Sequence, residues 1–337
     1  MYCGKGENSV NVFYFSSDLF ASVAATSMVS LMENNRSFDD IHFYIVDDGI
    51  KDKTRTELVN LIHSYGRQID FIPAPDPCEL FQYQFKDRYQ LGHSYVRMCI
   101  GRLLPETVDR ILCLDSDTLI LNDLTELWNM DMGDNILAGV ADCMNLKAYS
   151  KQFGLTGEEF YCNAGVFLVN LKKWREENIE KEIIDIIHKR KGNVFFFEQT
   201  LMNYCCRGKI VKLHPKYNAY TLFYAFTYEN LIRWRNPTIF YTQEEIIEAK
   251  KQPSIVHLTR NFYMMSRPWV EGCDHPLTKD YLRYKNMTPW RKLSADTRSN
   301  RQKRQYKLWH KIPQDVLCYG ANIVYNDIRP QMWWKNE

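Results

Sequence analysis

The architecture of this chain is most directly read from Arg110-Ile-Leu-Cys-Leu-Asp115-Ser-Asp117-Thr-Leu-Ile-Leu-Asn-Asp123. The apolar run Ile111 to Leu114 lies within an alternating pattern of helices and strands, which predicts a strand buried on both faces. Asp115 and Asp117 follow at its exit, and ligands of open α/β sheets bind beyond the carboxyl ends of strands. Because successive strand residues face opposite ways, the chain must turn at Ser116 for both acids to hold one ion. An isolated pair of this kind is more often a solvated turn, so the hypothesis of a site depends on other segments.

Strands and helices alternate from the start of the chain. Strands are predicted over residues 11–15, 41–46 and 69–72, and helices over 19–33 and 53–65. This βαβαβ order predicts a Rossmann-like α/β fold. No G-x-G-x-x-G follows the first strand, so the pattern does not support dinucleotide redox chemistry. Further along, the sequence predicts a helix over 94–104, a strand over 136–140, a strand within 161–174 preceded by a small-residue turn, a helix over 177–191 and a strand over 254–257.

Composition excludes several classes of protein. A chain of 337 residues accommodates one large domain with additions, and a net charge of +2 argues against a nucleic-acid partner. The ten cysteines are scattered without zinc-type spacing, which favours reduced, buried thiols. The first five residues lead into the first strand without a leader sequence, and no run is long enough to span a bilayer. These features predict a cytoplasmic protein.

The Asp115 to Asp117 segment resembles the D-x-D region of glycosyltransferase family 8. Members of this family are retaining transferases that use a nucleotide sugar, usually UDP-glucose or UDP-galactose, with manganese, and the bacterial lipopolysaccharide and capsule enzymes are the most similar. The resemblance implies a GT-A fold, in which a Rossmann-like mixed sheet is flanked by helices. It also implies transfer of glucose or galactose from a UDP-sugar to a glycan or lipid-linked acceptor, with retention of anomeric configuration.

The resemblance assigns the metal ligands to Asp115, Asp117 and His257, the last at the end of I-V-H-L-T. Two carboxylates, one imidazole and phosphate oxygens suit Mn²⁺ better than Zn²⁺, with Mg²⁺ as the alternative. Arg267, in R-P-W, stands where the family has a diphosphate-binding lysine, and its planar fork suits phosphate. The sequence departs from the family at Arg260, where many members have glycine.

The resemblance also assigns the residues that hold the sugar. Asn163 and Ala164 match the N-A-G turn that contacts the sugar hydroxyls, and Asp142 matches a sugar-contacting acid. Glu198 and Gln199 match the family's D-Q pair beside the anomeric carbon. Catalytic assistance is therefore expected from Gln199, Glu198 or Asp142.

The nucleotide end of the site follows from three further matches. Arg97, in Tyr95-Val-Arg97, matches the arginine that bridges the nucleotide and the acidic residues. Ser116, between the two aspartates of D-x-D, is also expected to contact the nucleotide sugar. Asp18 is the candidate for a base or ribose contact after the first strand. Leu19 cannot hydrogen-bond, so this end departs from the family pattern.

Two other classes fit parts of the sequence. A phosphatase with an aspartate nucleophile uses D-x-D-x-T near the first strand. Here Thr118 falls one place early and the motif lies a third of the way along the chain. A sugar-nucleotide-binding protein with little or no transferase activity would retain the binding residues alone. Metal-linked UDP binding together with slow UDP-sugar hydrolysis distinguishes the transferase from both.

The C-terminal part has a composition of its own. We predict a catalytic domain over 1–284 and a basic, aromatic extension over 285–337, in which eleven Lys and Arg oppose four acids for a charge of +7. Basic residues interleaved with Trp and Tyr favour peripheral contact with an anionic membrane, at its inner face. The alternative is that the tail packs back on the catalytic domain, and Pro313 and Gly320 interrupt any long helix in it.

Overall fold

The structure, a computed structural model, describes residues 8–86, 93–263 and 267–334. The first five residues, for which the sequence predicted no leader, lie outside the described ranges. The strands are β1 Ser9–Ser17, β2 Asp40–Asp48, β3 Gln68–Pro73, β4 Arg110–Leu114, β5 Thr118–Ile120, β6 Leu137–Ala141, β7 Cys162–Asn170, β8 Ile210–Lys212, β9 Ala219–Tyr220 and β10 Ile255–His257.

The helices of the described residues connect and cover these strands. They are α1 Asp18–Asn34, α2 Asp52–Ser64, α3 Pro77–Leu80, α4 His93–Val96, α5 Ile100–Leu103, α6 Thr125–Trp128, α7 Leu146–Phe153, α8 Leu171–Glu176, α9 Ile179–Lys189, α10 Phe197–Cys205, α11 Leu222–Ala225, α12 Tyr228–Arg235, α13 Gln243–Lys251, α14 Thr278–Lys285, α15 Asn300–Trp309, α16 Gln314–Asn322 and α17 Arg329–Trp334. A 3₁₀ turn spans Pro215–Asn218, and a π-helix spans Ile323–Ile328.

Seven strands form the main sheet in the order β3-β2-β1-β4-β7-β6-β8. The first four are parallel, as the βαβαβ pattern predicts, whereas β7 runs antiparallel to both β4 and β6. A second sheet has the order β5-β10-β9 and begins directly after the exit of β4. The mixed α/β class predicted from the sequence is confirmed.

The central strand β4 is buried on both faces, as its apolar run predicts. Leu112 and Leu114 belong to one core and Ile111 and Cys113 to the other, which is the alternation that an extended chain imposes. Helix α1 covers the first face, and α4, α5 and α8 to α10 cover the second. The exit of β4 is thereby fixed from both sides.

Two of the predicted elements are wrong in detail. The single helix expected over 94–104 is broken between α4 and α5, where the N–H groups of Met98 and Cys99 bond to the carbonyls three residues earlier, of Tyr95 and Val96, instead of four. The small-residue turn expected before β7 is absent from the described residues, because Asn163 and Ala164 lie within that strand.

The C-terminal tail packs on the rest of the molecule. The Nδ2 of Asn322 donates to the backbone carbonyl of Trp234 (3.1 Å), Gln314 Nε2 to the carbonyl of Ala225 (2.9 Å) and Gln152 Nε2 to that of Pro330 (2.8 Å). Within the described residues, no helix has the length and apolar character needed to cross a membrane.

Candidate active site

The chain reverses at the exit of β4 and thereby turns both acids to one side. The backbone N–H of Asp115 donates to the carbonyl of Gly165 in β7 (2.8 Å), which anchors the start of the turn. The N–H and the hydroxyl of Thr118 both donate to the carbonyl of Asp115, at 3.2 and 2.9 Å, and close it. The Ser116 hydroxyl faces inward and donates to the carbonyl of Phe15 (3.3 Å), so its side chain supports the turn from beneath.

The second sheet brings His257 to these acids. Strand β10 pairs antiparallel with β5 in a register that places His257 opposite Thr118, beside Asp117. The His257 Nε2 lies 3.3 Å from an Asp115 oxygen and 3.1 Å from an Asp117 oxygen. Its ring lies flat against Gly165, where a Cβ would come within 2.0 Å of the ring carbon Cε1. Only glycine at this position leaves room for the imidazole.

These three side chains suit a divalent cation. One donor atom from each lies within 4.8 Å of the others, and two hard carboxylates with one imidazole match the ligand preference of Mn²⁺. Burial alone would lower the pKa of His257, but Asp117 and Asp115 outweigh it and raise that pKa to about 9. Burial likewise would raise the pKa of Asp115, yet Arg97 and His257 hold it well below its ordinary value. Asp115 is therefore ionised at neutral pH, which is the form in which it could bind a cation.

Two arginines flank the cluster. Arg97, in the break between α4 and α5, places Nη1 at 2.6 Å from Asp115, while its Nη2 donates to the carbonyl of Ala164 (3.0 Å). Arg267 lies on the other side, with Nη1 at 2.5 Å from Asp117. Each carboxylate of the pair therefore has one arginine beside it, Asp115 with Arg97 and Asp117 with Arg267.

A second group of predicted residues meets at the ends of β6 and β7. Asp142 accepts from Asn163 Nδ2 (3.0 Å) and from Gln199 Nε2 (3.1 Å) through one oxygen. The Gln199 Oε1 in turn accepts from the backbone N–H of Ala164 (3.0 Å). This closed network fixes the orientation of the Gln199 amide, which would otherwise be free to flip.

Glu198 links the two groups, because its carboxylate lies 3.8 Å from Arg97 Nη1. Burial raises the pKa of Glu198 to about 7, although Arg97 opposes the shift. At neutral pH a substantial fraction of this carboxyl is therefore protonated and able to donate a hydrogen bond.

This shift makes Glu198 a determinant of stability. Between its ordinary pKa of 4.5 and about 7, the folded protein binds more protons at Glu198 than the unfolded chain does, so the free energy of unfolding falls as pH rises. The expected fall is on the order of 2 kcal/mol. Urea unfolding of chelator-treated protein from pH 5 to pH 8 should show a shallower decline for Glu198→Gln than for the wild type. Identical pH profiles would contradict the shift.

The predicted nucleotide end opens as a cleft of about 320 Å³ between Phe15, Ser17, Phe20, Asp48, the D-x-D turn and Arg267. Asp18 lies outside the lining of this cleft. Its carboxylate pairs with Lys51 Nζ (2.9 Å) and accepts from the Lys51 backbone N–H (3.2 Å). Leu19 is 81% exposed, so the structure brings neither residue into contact with the metal-ligand cluster.

Sequence reasoning missed two buried side chains behind the group formed by Asp142, Asn163 and Gln199. Arg235 Nη2 lies 3.3 Å from the second oxygen of Asp142, and Asn218 Nδ2 donates to Asn163 Oδ1 (3.0 Å). Arg235 ends a helix, where basic residues are common for reasons of the helix dipole alone, so its pattern carried no signal. Asn218 lies in a 3₁₀ turn that has no sequence signature.

The fold is that of GT-A glycosyltransferases. The crystal structure of galactosyltransferase LgtC in complex with donor and acceptor sugar analogs superimposes with a TM-score of 0.65 at 22% identity, covering 88% of this chain and 100% of that one. At this level of identity the likeness shows the fold.

The chain belongs to glycosyl transferase family 8, whose family model matches residues 11–271. General stress protein A of Bacillus subtilis (strain 168) is 24% identical over 289 residues, which are 85% of this chain and 96% of that protein. The lipopolysaccharide 1,2-glucosyltransferase of Escherichia coli (strain K12) is 25% identical over 336 residues, 94% of this chain and 90% of that protein.

The chain is therefore a glycosyltransferase, and the predicted family, fold and enzyme class are confirmed. The phosphatase hypothesis is wrong. The family is that of glycosyltransferases, and the position of the threonine in D-x-D-x-T is occupied by Leu119, while Thr118 is buried in β5 with its hydroxyl donated to the carbonyl of Asp115.

Proposed function

We propose that this protein is a retaining hexosyltransferase that transfers glucose or galactose from a UDP-sugar to a glycan or lipid-linked acceptor, with Mn²⁺. The observation that carries the proposal is the cluster of Asp115, Asp117 and His257 between the guanidinium groups of Arg97 and Arg267. A metal-diphosphate group needs this combination of anionic ligands and flanking cations. The glucosyl- and galactosyltransferase relatives support a hexose donor.

Each group of the site has a distinct role in this proposal. A divalent ion held by Asp115, Asp117 and His257 would neutralise the departing diphosphate. Arg267 and Arg97 would bind diphosphate oxygens, after exchanging their present carboxylate partners for phosphate. Asp142 and Asn163 would bind sugar hydroxyls, and Glu198 and Gln199 would lie beside the anomeric carbon.

The anomeric configuration is retained in this proposal if the acceptor attacks the anomeric carbon from the same face from which the diphosphate departs. A protonated Glu198 could then hydrogen-bond to the leaving or incoming oxygen without forming a bond to the sugar. The carbonyl of Gln199 is directed by its contacts with Asp142 and Ala164 and would stabilise positive charge on the ring.

The test is calorimetric titration of UDP with and without Mn²⁺, followed by a panel of UDP-hexoses assayed for UDP release. We expect UDP affinity to rise at least tenfold with Mn²⁺, and one UDP-hexose to be hydrolysed slowly in the absence of acceptor. Metal-independent UDP binding together with no turnover of any donor would contradict the proposal.

We expect the product to keep the α-configuration of the donor sugar. Proton NMR of the purified product distinguishes the two anomers by the coupling constant of the anomeric proton. A β-linked product would refute retention and with it the proposed role of Glu198 and Gln199.

We further propose that the C-terminal extension contacts an anionic membrane. Although the tail packs on the domain, its outer surface exposes a set of large apolar side chains, which are Leu308, Val316, Tyr319, Ile323, Val324, Ile328 and Met332. The same tail carries the excess of Lys and Arg. An apolar helical surface in a tail whose basic residues lie mostly in 285–311 suits an anionic bilayer, and each basic residue near such a surface contributes about 1 kcal/mol.

Vesicle co-sedimentation tests this contact. We expect wild-type protein to bind anionic vesicles at low salt and zwitterionic vesicles weakly, and the triple variant Val316→Ser/Val324→Ser/Ile328→Ser to lose most of the binding. Ile247→Ser is the control, because Ile247 is an exposed apolar residue on α13, outside the tail. Equal binding by all three proteins would count against the tail surface.

A further inference from the structure

The buried side of the C-terminal tail reaches the back of the sugar-binding group. Tyr325, in the π-helix, is 8% exposed, and its ring lies 3.9 Å from the guanidinium carbon of Arg235. Trp234 lies at 5.3 Å from the same carbon. Arg235 therefore has two aromatic rings beside its guanidinium, a favourable environment for a desolvated cation.

Arg235 transmits this contact to the site. Its guanidinium donates to the carbonyl of Cys143 and lies 3.3 Å from one oxygen of Asp142. The other oxygen of Asp142 accepts from Asn163 and Gln199. Tyr325 is thus connected to the position proposed for the donor sugar through Arg235 and Asp142, and it does not contact that position itself.

The π-helix determines where Tyr325 lies. Such helices are rare and occur preferentially at functional sites, because their wider turn redirects the side chains that follow. Here the Tyr149 hydroxyl donates to the carbonyl of Tyr325, and Asn326 Nδ2 donates to the carbonyl of Trp234 (3.2 Å). These contacts attach the segment to α7 and to the end of α12.

Arg329, one residue beyond the π-helix, supports the other half of the site. Its guanidinium carbon lies 4.7 Å from the ring of Phe196 and 5.3 Å from that of Phe195. Phe196 and Phe197 have φ values of 58° and 48°, a left-handed conformation that is costly for residues other than glycine. Glu198 and Gln199 follow directly, so their placement depends on contacts that hold this strained turn.

We propose that Tyr325 and Arg329 are positioning residues of the transferase: the tail holds Asp142 through Arg235, and Glu198–Gln199 through Phe195 and Phe196. The inference rests on the proposed function for the identity of the bound sugar. It assigns to the tail a role inside the enzyme that is independent of any membrane contact, since Tyr325 faces inward and Arg329 lies against the rings of Phe195 and Phe196.

The proposal predicts that loss of these residues lowers kcat but leaves the affinity for UDP nearly unchanged. Tyr325→Leu, which keeps an apolar side chain but removes the ring beneath Arg235, should lower kcat at least tenfold while leaving the affinity for UDP with Mn²⁺ within twofold of wild type. Tyr325→Phe, which keeps the ring, should restore most of kcat. Arg329→Leu should lower kcat about threefold, because its guanidinium is more exposed. Asp327→Asn, an exposed residue of the same π-helix, is the control and should be silent.

Hydrogen exchange provides a readout that does not require turnover. In Tyr325→Leu and Arg329→Leu, amides in a peptide spanning 195–205 should exchange faster than in wild type, whereas those in a peptide spanning 111–120 should not. The proposal is overturned if folded Tyr325→Leu keeps both wild-type kcat and wild-type exchange. It is also overturned if UDP affinity falls as much as kcat, which would indicate general destabilisation. Absence of turnover in the wild type would instead count against the proposed function, and the exchange data would still decide the role of the tail.

Discussion

Asp117→Asn should lower transfer activity by about a thousandfold or more and abolish the effect of Mn²⁺ on UDP binding. The substitution removes a negative ligand that lies 3.1 Å from His257 and 2.5 Å from Arg267, while it keeps the shape of the side chain. In the variant, the buried His257 imidazole has one carboxylate partner instead of two, and the Arg267 guanidinium loses its ion pair with residue 117. Each lost interaction of this kind, when it acts on the charge that develops on the diphosphate, costs several kcal/mol in the transition state.

The measurement is kcat with the preferred donor, together with calorimetric titration of UDP at zero and saturating Mn²⁺. Asp131→Asn is the matched control, because this aspartate is exposed and caps a turn at Gly133, away from the site. Thermal melting should place both variants within a few degrees of wild type. An Asp117→Asn protein that keeps metal-linked UDP binding would exclude this carboxylate as a ligand.

Gly165→Ala should lower activity by at least a hundredfold, although a single methyl group is added and no functional atom is removed. The new Cβ would lie 2.0 to 2.9 Å from three atoms of the His257 ring, and Gly165 itself lies in the central sheet, where β7 cannot retreat. The imidazole must then leave its place beside Asp115 and Asp117. Overpacking of this kind also costs about 1–3 kcal/mol of stability.

Gly139→Ala in the neighbouring strand β6 provides the comparison. Its Cβ would meet the side chain of Cys162 at 3.1 Å, so stability should fall somewhat, yet His257 is untouched. Metal-linked UDP binding should therefore survive in Gly139→Ala and disappear in Gly165→Ala. Loss of binding in both variants would mean that the sheet as a whole, rather than the imidazole, had been disturbed.

The sequence was most informative where one local pattern determined the outcome. The apolar run of β4 and the alternation before it predicted a parallel α/β core, and the acid pair at its exit predicted the position of the site. The three proposed metal ligands could be grouped only through family resemblance, because His257 is brought to Asp117 by an antiparallel pairing that no local signal encodes. The same resemblance placed Asn163 in a turn, whereas its neighbours β4 and β6 hold it in a strand.

The residues that sequence reasoning missed share one property: they act through buried contacts between distant segments. Arg235 and Tyr325 are 90 positions apart and meet only because α12 and the tail pack together. From its charge and aromatic content the tail was predicted to contact a membrane, with packing on the catalytic domain as the alternative. Composition reports what is abundant in a segment, but it does not report which side chains face inward, so it left the contacts of Tyr325 unseen.

The pairing of β5 with β10 also has a consequence for how the protein is made. Ile120 pairs with Ile255, 135 positions later, and at the usual rates of translation this separates their synthesis by roughly 7 to 27 seconds. During that interval the strand that follows the acid pair has an unpaired edge, which is a template for association with other chains. A message truncated anywhere before codon 255 would leave that edge open permanently. Aggregation of such fragments on the ribosome, rather than loss of activity alone, is the expected fate of an incomplete copy.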